Sequence, residues 1–417
     1  MSAELQTGEN RGPEAQDGPP RVAAPRERLL SLDVFRGMTI AGMLLVNNPG
    51  DWGHIYPPLA HARWHGWTPT DLIFPFFLFI VGITTHLSLS ARKAAGASDG
   101  MLVRQILRRG LLIILFGLLL NAFPFYTWST IEGVEVPTFL QRVLYRFDNL
   151  RFSGVLQRIG LVYIASALLS LNATVRRLVL LLAIILLGYW FAMTLLPVPG
   201  TGELGGLVLD KPGETLAAWS DRAVLGAKHI YKSAKTWDPE GVLSTIPAIG
   251  TALLGIIAGR WIGSRRALPD RLNGLFAIGA MGIVTGLIWH WSFPINKNLW
   301  TSSYVVFTAG MSSVTLATCM WIIDEKKIRG WTWPFEAFGV NPIAAFVGSG
   351  LMVRLIGSLI KIPSGGKSAP LSAVIYRSFY TSWLSPINAS LLYAISFVLV
   401  WLGIMMVMRR KNLILKL

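Results

Sequence analysis

The chain has 417 residues, 53% of them hydrophobic and only 14% charged, with a mean hydropathy of +0.51. So apolar a composition excludes an ordinary soluble domain and marks an all-α, polytopic membrane protein. A net charge of +16 would suit nucleic acid, but no basic stripe with interleaved aromatics is present, and basic residues of membrane proteins gather in cytoplasmic loops.

Residues 1–28 are rich in Glu, Gly and Pro, have little to bury, and are expected to form a disordered cytoplasmic tail. No cleavable leader is visible, so the first span is expected to act as an uncleaved anchor. Residues 29–417 then read as one transmembrane domain with about ten spans of bilayer length. These spans are 30–48, 71–91, 102–123, 153–172, 178–196, 242–259, 272–292, 301–323, 335–359 and 387–408. Charge supports an even number. With both termini cytoplasmic, the short inner connections hold Arg92, Lys93, Arg104, Arg108 and Arg109, then Arg176 and Arg177. Arg260, Arg265, Arg266 and Arg271 follow, then Lys326, Lys327 and Arg329, and finally Arg409, Arg410 and Lys411.

The opposite face receives the loop around His61, the connection 124–152, the loop 197–241, the turn 293–300 and the Gly/Ser/Lys-containing loop 361–386. Phe139 to Phe152, with Arg142 and Arg146 four apart among aromatics, reads as an amphipathic helix on the outer interface. The loop 197–241 sets six carboxylates against five basic residues and is too long for a mere connector. Cys319 is the single cysteine, so an intrachain disulfide and a cysteine metal cluster are excluded.

The chemistry concentrates at His61-Ala-Arg-Trp-His65-Gly-Trp-Thr-Pro-Thr-Asp71, beside His54 and Asp51 at the mouth of a span. Titratable groups at that depth are costly and mark a functional site. Three readings stand open: a zinc site on His61 and His65, an interfacial hydrogen-bonded cluster with Trp52, Trp64 and Trp67, or a histidine acting as general base or acyl acceptor. The zinc reading lacks an HExxH helix, and no metal is expected. Asn47, at the outer end of the first span, serves either helix termination or donation to a developing oxyanion. Asp33 and Arg36 share a helix face at the inner end, as an anchoring pair or as an arginine facing an anionic ligand. Arg158 lies inside an apolar span and must find a partner within the bundle.

Several motifs in order resemble the heparan-α-glucosaminide N-acetyltransferase family. They are Asp33-Val-Phe-Arg-Gly37, Val46-Asn47, His61-Ala-Arg-Trp64 leading to Asp71-Leu-Ile-Phe-Pro75, Gly154-Val-Leu-Gln-Arg158, Leu196-Pro-Val-Pro-Gly200, Asp238-Pro-Glu-Gly241 and Asn296-Lys-Asn-Leu-Trp300. The resemblance runs from about residue 30 to the C-terminus, without the large N-terminal luminal domain of the animal enzyme, as in a bacterial relative in the inner membrane. It implies a transmembrane acyltransferase domain that moves acetyl from acetyl-CoA to a glucosamine-type amine on the far side of the bilayer, and a homodimer. It places His61 at the family's active-site histidine and Asn47 at its essential asparagine. His65 falls where the animal enzyme has asparagine and receives no catalytic role. Asp71 is expected to orient the imidazole. Asp33, Arg36, Arg158 and Lys297 are the candidate donor-binding residues. Trp64, Asp238, Glu240 and Asn298 are the candidate acceptor-binding ones, although a capped helix start accounts equally well for Asp238-Pro-Glu-Gly. The rival reading is an amino-sugar permease with the same polar groups at its midplane.

Overall fold

The computed structural model describes residues 29–128, 130–364 and 367–415; the expected tail, 1–28, lies outside them. Among the described residues there are fourteen α-helices. They are α1 (Leu30–Val46), α2 (Pro69–Ala94), α3 (Asp99–Ala122), α4 (Phe139–Asp148), α5 (Val155–Ser170), α6 (Val175–Leu195) and α7 (Leu216–Leu225). The rest are α8 (Val242–Ile262), α9 (Leu268–Trp289), α10 (Ser302–Met320), α11 (Trp333–Val340), α12 (Pro342–Arg354), α13 (Leu371–Phe379) and α14 (Pro386–Arg410). A small antiparallel hairpin, β1 (Lys361–Ser364) and β2 (Lys367–Pro370), precedes α13.

Seven segments are long and apolar enough to cross a bilayer: α2, α6, α8, α9, α14, and α10 and α12 each with the wide helical turn that follows it. Three more helices occupy expected spans. Of these, α1 and α5 are short, with 17 and 16 residues, and α3 carries three arginines in its first half. The long helices are apolar nearly all round, as membrane spans are. They approach closely through small residues. Where α2 meets α8, a Cβ on Gly82 would strike the Ala252 carbonyl oxygen, and one on Gly255 would strike that of Phe79.

Polar contacts stitch the connections together at two separate ends of the bundle. At one end Ser31 donates to Asp324 (2.5 Å), Lys93 to the Leu171 carbonyl and Arg409 to Glu336. At the other, Asn121 donates to the Arg151 and Ser153 carbonyls, Trp64 to the Leu209 carbonyl, and the Gly50 N–H to the Ser390 carbonyl. We call these the Arg36 end and the His61 end.

Three expectations change in detail. The span expected over 335–359 is broken at Asn341, where α11 stops and α12 begins with Pro342. Proline lacks the N–H for a continuous ladder and pushes its predecessor out of the helical region; Asn341 has φ −127° and ψ 56°. The Asn341 amide instead ties down the chain end through Leu413 and Leu415. The loop expected over 361–386 holds the hairpin and α13. Finally, the arginines of the amphipathic α4 turn inward: Arg146 donates to the Asn121 and Ala122 carbonyls and Arg142 to the Thr127 carbonyl. They satisfy carbonyls left open at and just beyond the end of α3.

Candidate active site

Asp71 is the third residue of α2, and its position follows from local sequence. Thr68 precedes Pro69 as the helix cap, and Asp71 closes a capping box by accepting the Thr68 N–H at 3.1 Å through Oδ2. The same oxygen accepts the Ala62 N–H at 2.9 Å. Oδ1 remains, and it lies 2.7 Å from Nδ1 of His61. A carboxylate that accepts from Nδ1–H leaves Nε2 as the basic nitrogen. From the first turn of α10, the Tyr304 hydroxyl donates to the Asp71 main-chain carbonyl at 2.5 Å and fixes the backbone. The Asp71 side chain is 1% exposed, whereas that of His61 is 44% exposed, so a buried anchor holds an accessible ring.

Lys297, in the turn between α9 and α10, completes the group. Its Nζ lies 2.9 Å from Nδ1 and 3.3 Å from Nε2 of His61, and 3.4 Å from Asp71 Oδ1. It therefore sits against the ring, within reach of anything bonded to Nε2. Burial pushes the Lys297 ammonium below its ordinary value, against the opposing pull of Asp71 and Glu240. The following Asn298 is half-buried in the same turn.

The loop 197–241 folds down beside these residues. Trp64 donates its indole N–H to the Leu209 carbonyl at 2.7 Å and packs edge-on against Trp237. His65 pairs with Asp210 at 2.8 Å, and burial pushes its imidazole below the ordinary value. Arg151 grips Asp238 through both Nε and a terminal nitrogen, at 2.8 and 2.5 Å, and takes Glu240 Oε2 at 2.6 Å. Burial disfavours charge on Asp238, but Arg151 and Ser153 outweigh it and keep the carboxyl below the usual range. Asp221, on α7, accepts the Asp238 and Val242 N–H groups, yet burial raises it to about 6.

Arg158 is fully buried. It donates to Ser244 Oγ and the Gly241 carbonyl and lies over the Trp300 ring at 5.1 Å. It thereby pins the start of α8, close enough to feel Glu240, Asp238 and Asp221 electrostatically.

Three cavities follow one another along α1 and α12, the second and third also lined by α5. The first, about 790 Å³, is bordered by Asn47, Asp51, Tyr376, Arg377 and Tyr393. The second, about 250 Å³, shares Asn47, Asn48 and Val353 with it and adds Arg151 and Arg354. The third, about 70 Å³, shares Met43, Leu156 and Phe346 with the second and reaches Arg36 and Arg109. Basic side chains thus punctuate the row from the His61 end to the Arg36 end. Arg36 also bonds Asp33 at 2.6 Å and the Gly339 carbonyl at 2.8 Å.

Among the residues singled out in the sequence, His61, Asp71 and Lys297 come together in direct contact, with Glu240 in electrostatic range. Asn47 and Arg36 lie at opposite ends of the cavity row, which His61, Arg158 and Lys297 do not line. Trp64 is engaged by the folded loop, and Asp238, within that loop, by Arg151 and Ser153. Sequence reasoning missed Arg151 and Tyr304. The Asp238-Pro-Glu240 pair called for a buried cation, but 87 residues separate Arg151 from Asp238, and no local pattern supplies that pairing.

The family model described as heparan-alpha-glucosaminide N-acetyltransferase, catalytic, matches residues 28–277. The human protein named heparan-alpha-glucosaminide N-acetyltransferase is 31% identical over 374 residues, covering 79% of this chain and 53% of its own length. The mouse protein of that name is 30% identical over 395 residues, covering 84% and 57%. The chain spans about half the length of these curated relatives. A match that takes in Asn47, His61, Asp71 and Asp238 within more than half of the sequence places this chain in the heparan-α-glucosaminide N-acetyltransferase catalytic family.

Proposed function

We propose that the protein is a transmembrane acyltransferase that moves acetyl from acetyl-CoA to the amine of a glucosamine-type sugar. The observation that carries this reading is the 2.7 Å bond from His61 Nδ1 to the buried Asp71, which points a basic Nε2 into an accessible site. The amine attacks the thioester carbonyl carbon and Nε2 takes its proton. The C–S bond then breaks, and the imidazolium returns that proton to the departing thiolate. Negative charge grows on the carbonyl oxygen, and Lys297 Nζ, beside the ring, is the nearest cation to receive it. Asn47 orients the thioester at the mouth of the cavities.

The row of cavities suits the donor. Arg36 and Arg109 would hold the phosphates at one end while the pantetheine arm lies along α1 towards Asn47. Arg36 and Asn47 are eleven residues apart on a helix, about 16 Å at 1.5 Å per residue. Glu240 and Asn298 face the acceptor side, Glu240 drawing an ammonium sugar towards the site. With α1, α3 and α5 counted beside the seven apolar helices, the spans number ten, and both termini lie in the cytoplasm of a bacterium whose inner membrane holds the protein as a homodimer.

The test is acetylation of glucosamine by purified protein supplied with acetyl-CoA, with His61→Ala beside it. Acceptor-dependent thiol release that His61→Ala abolishes supports the reading. Normal acetylation by that variant, or accumulation of unmodified sugar in vesicles, refutes it. Labelled acetyl trapped on His61 without acceptor would assign a covalent acetyl-imidazole step in place of direct transfer.

A further inference from the structure

A fourth cavity, about 460 Å³, lies apart from the row described above and shares no lining residue with it. Its walls come from α2, α8, α9 and α10, with Phe79, Leu254, Ile257, Leu275, Ile278 and Val306 forming an apolar slot. Ile278 is largely exposed on the outer surface of α9, so the slot opens towards the membrane side of the bundle. Its Arg36 end is different in character. Arg260, Ser264 and Arg266 border it there. Arg260 donates one terminal nitrogen to the Ser170 carbonyl. Its Nε, like the Ser264 hydroxyl, is buried with no hydrogen-bond partner among the described residues. Arg266 lies over the Trp261 ring at 4.7 Å.

Buried donors without partners are costly, and the open Arg260 Nε and Ser264 hydroxyl beside Arg266 call for an anion. An apolar slot running away from that anion site calls for a hydrocarbon chain. We propose that this cavity binds one anionic glycerophospholipid from the leaflet at the Arg36 end. Its phosphate meets Arg260, Ser264 and Arg266, and one acyl chain fills the slot. The occupant is a lipid and not a free phosphate, because the apolar walls account for most of the cavity and face hydrocarbon. The chemistry is that of basic pockets between transmembrane helices that select acidic headgroups.

The experiment is native mass spectrometry of the full chain released from micelles holding equal amounts of phosphatidylglycerol and phosphatidylcholine. One retained phosphatidylglycerol is expected, in clear excess over phosphatidylcholine. Arg266→Gln should weaken that retention about fivefold, the effect of one arginine near a lipid headgroup. Arg265→Gln removes the same charge from an exposed neighbour that does not line the cavity, and should retain lipid like the parent. Ile278→Trp, which narrows the slot and leaves the arginines alone, should also lose lipid. Equal loss in Arg265→Gln and Arg266→Gln would overturn the site in favour of diffuse surface charge. Equal retention of phosphatidylcholine would mean an adventitious annular lipid only. Displacement by soluble glycerol phosphate at matched concentration would mean an anion site without a lipid chain.

Discussion

His61 Nδ1 lies 2.7 Å from one oxygen of Asp71, whose other oxygen closes the capping box at the start of α2. One carboxylate therefore sets the orientation of a catalytic-type imidazole and the starting point of a membrane span. A histidine held in this way cannot drift relative to α2, because the cap and the ring share a partner.

Asp71→Asn keeps the size of the side chain but removes the acceptor that fixes the Nδ1–H tautomer. Acetyl transfer is expected to fall about 10³-fold or more, as in other carboxylate–histidine pairs so altered. Because the cap is weakened as well, stability should drop by about 1 kcal/mol. Measured kcat and thermal midpoints separate the two effects; a variant with near-normal kcat would remove Asp71 from the mechanism.

Lys297→Met tests whether the ammonium against the His61 ring stabilises charge in the transition state. The expected result is a loss of about 10²- to 10³-fold in kcat, the size seen for removal of one oxyanion donor, with the KM for acetyl-CoA little changed. A rise in KM at constant kcat would place Lys297 on the donor's phosphates instead.

Arg36→Gln should show the reverse pattern. Losing one charge-assisted contact to phosphate costs about 1.5–3 kcal/mol, or roughly 10- to 100-fold in the KM for acetyl-CoA, with kcat preserved. Steady-state kinetics with varied acetyl-CoA decides it. An unchanged KM would reduce Arg36 to a partner of Asp33 and Gly339.

Asp221 gives a pH signature that is independent of catalysis. Its carboxyl titrates near 6 in the fold and near 3.8 when unfolded, so between those values the native state binds the extra proton. Stability therefore falls as pH rises from about 4 to 6, by about 3 kcal/mol for a shift of that size. In Asp221→Asn, denaturant titrations should lack this fall, whatever the variant's absolute stability. Parallel pH curves for parent and variant would show that Asp221 does not titrate in this range.

Much of the architecture could be read along the chain because hydrocarbon imposes a strict rule on it. A segment in lipid must satisfy its backbone internally and carry apolar side chains, so the long helices α2, α6, α8, α9, α10 and α14 announce themselves residue by residue. The break at Asn341 was hidden for the opposite reason: hydropathy runs straight through Pro342, and only backbone geometry records the interruption.

The sequence by itself determined the membrane-spanning character, the crowding of His61 and Asp71 at one helix start, and the family. Both residues lie within ten positions of each other, and a capping box is a local device, so no distant contact was needed to bring them together. Tertiary structure alone decided that Lys297, 236 residues away, reaches that imidazole, and that Arg151 gathers Asp238 and Glu240. It also decided that a row of cavities runs along α1 and α12, walled by α13 and α14 at one end and by α5 beyond. These depend on how helices pack and where loops return, quantities set by the summed fit of many side chains that no single stretch of the chain encodes.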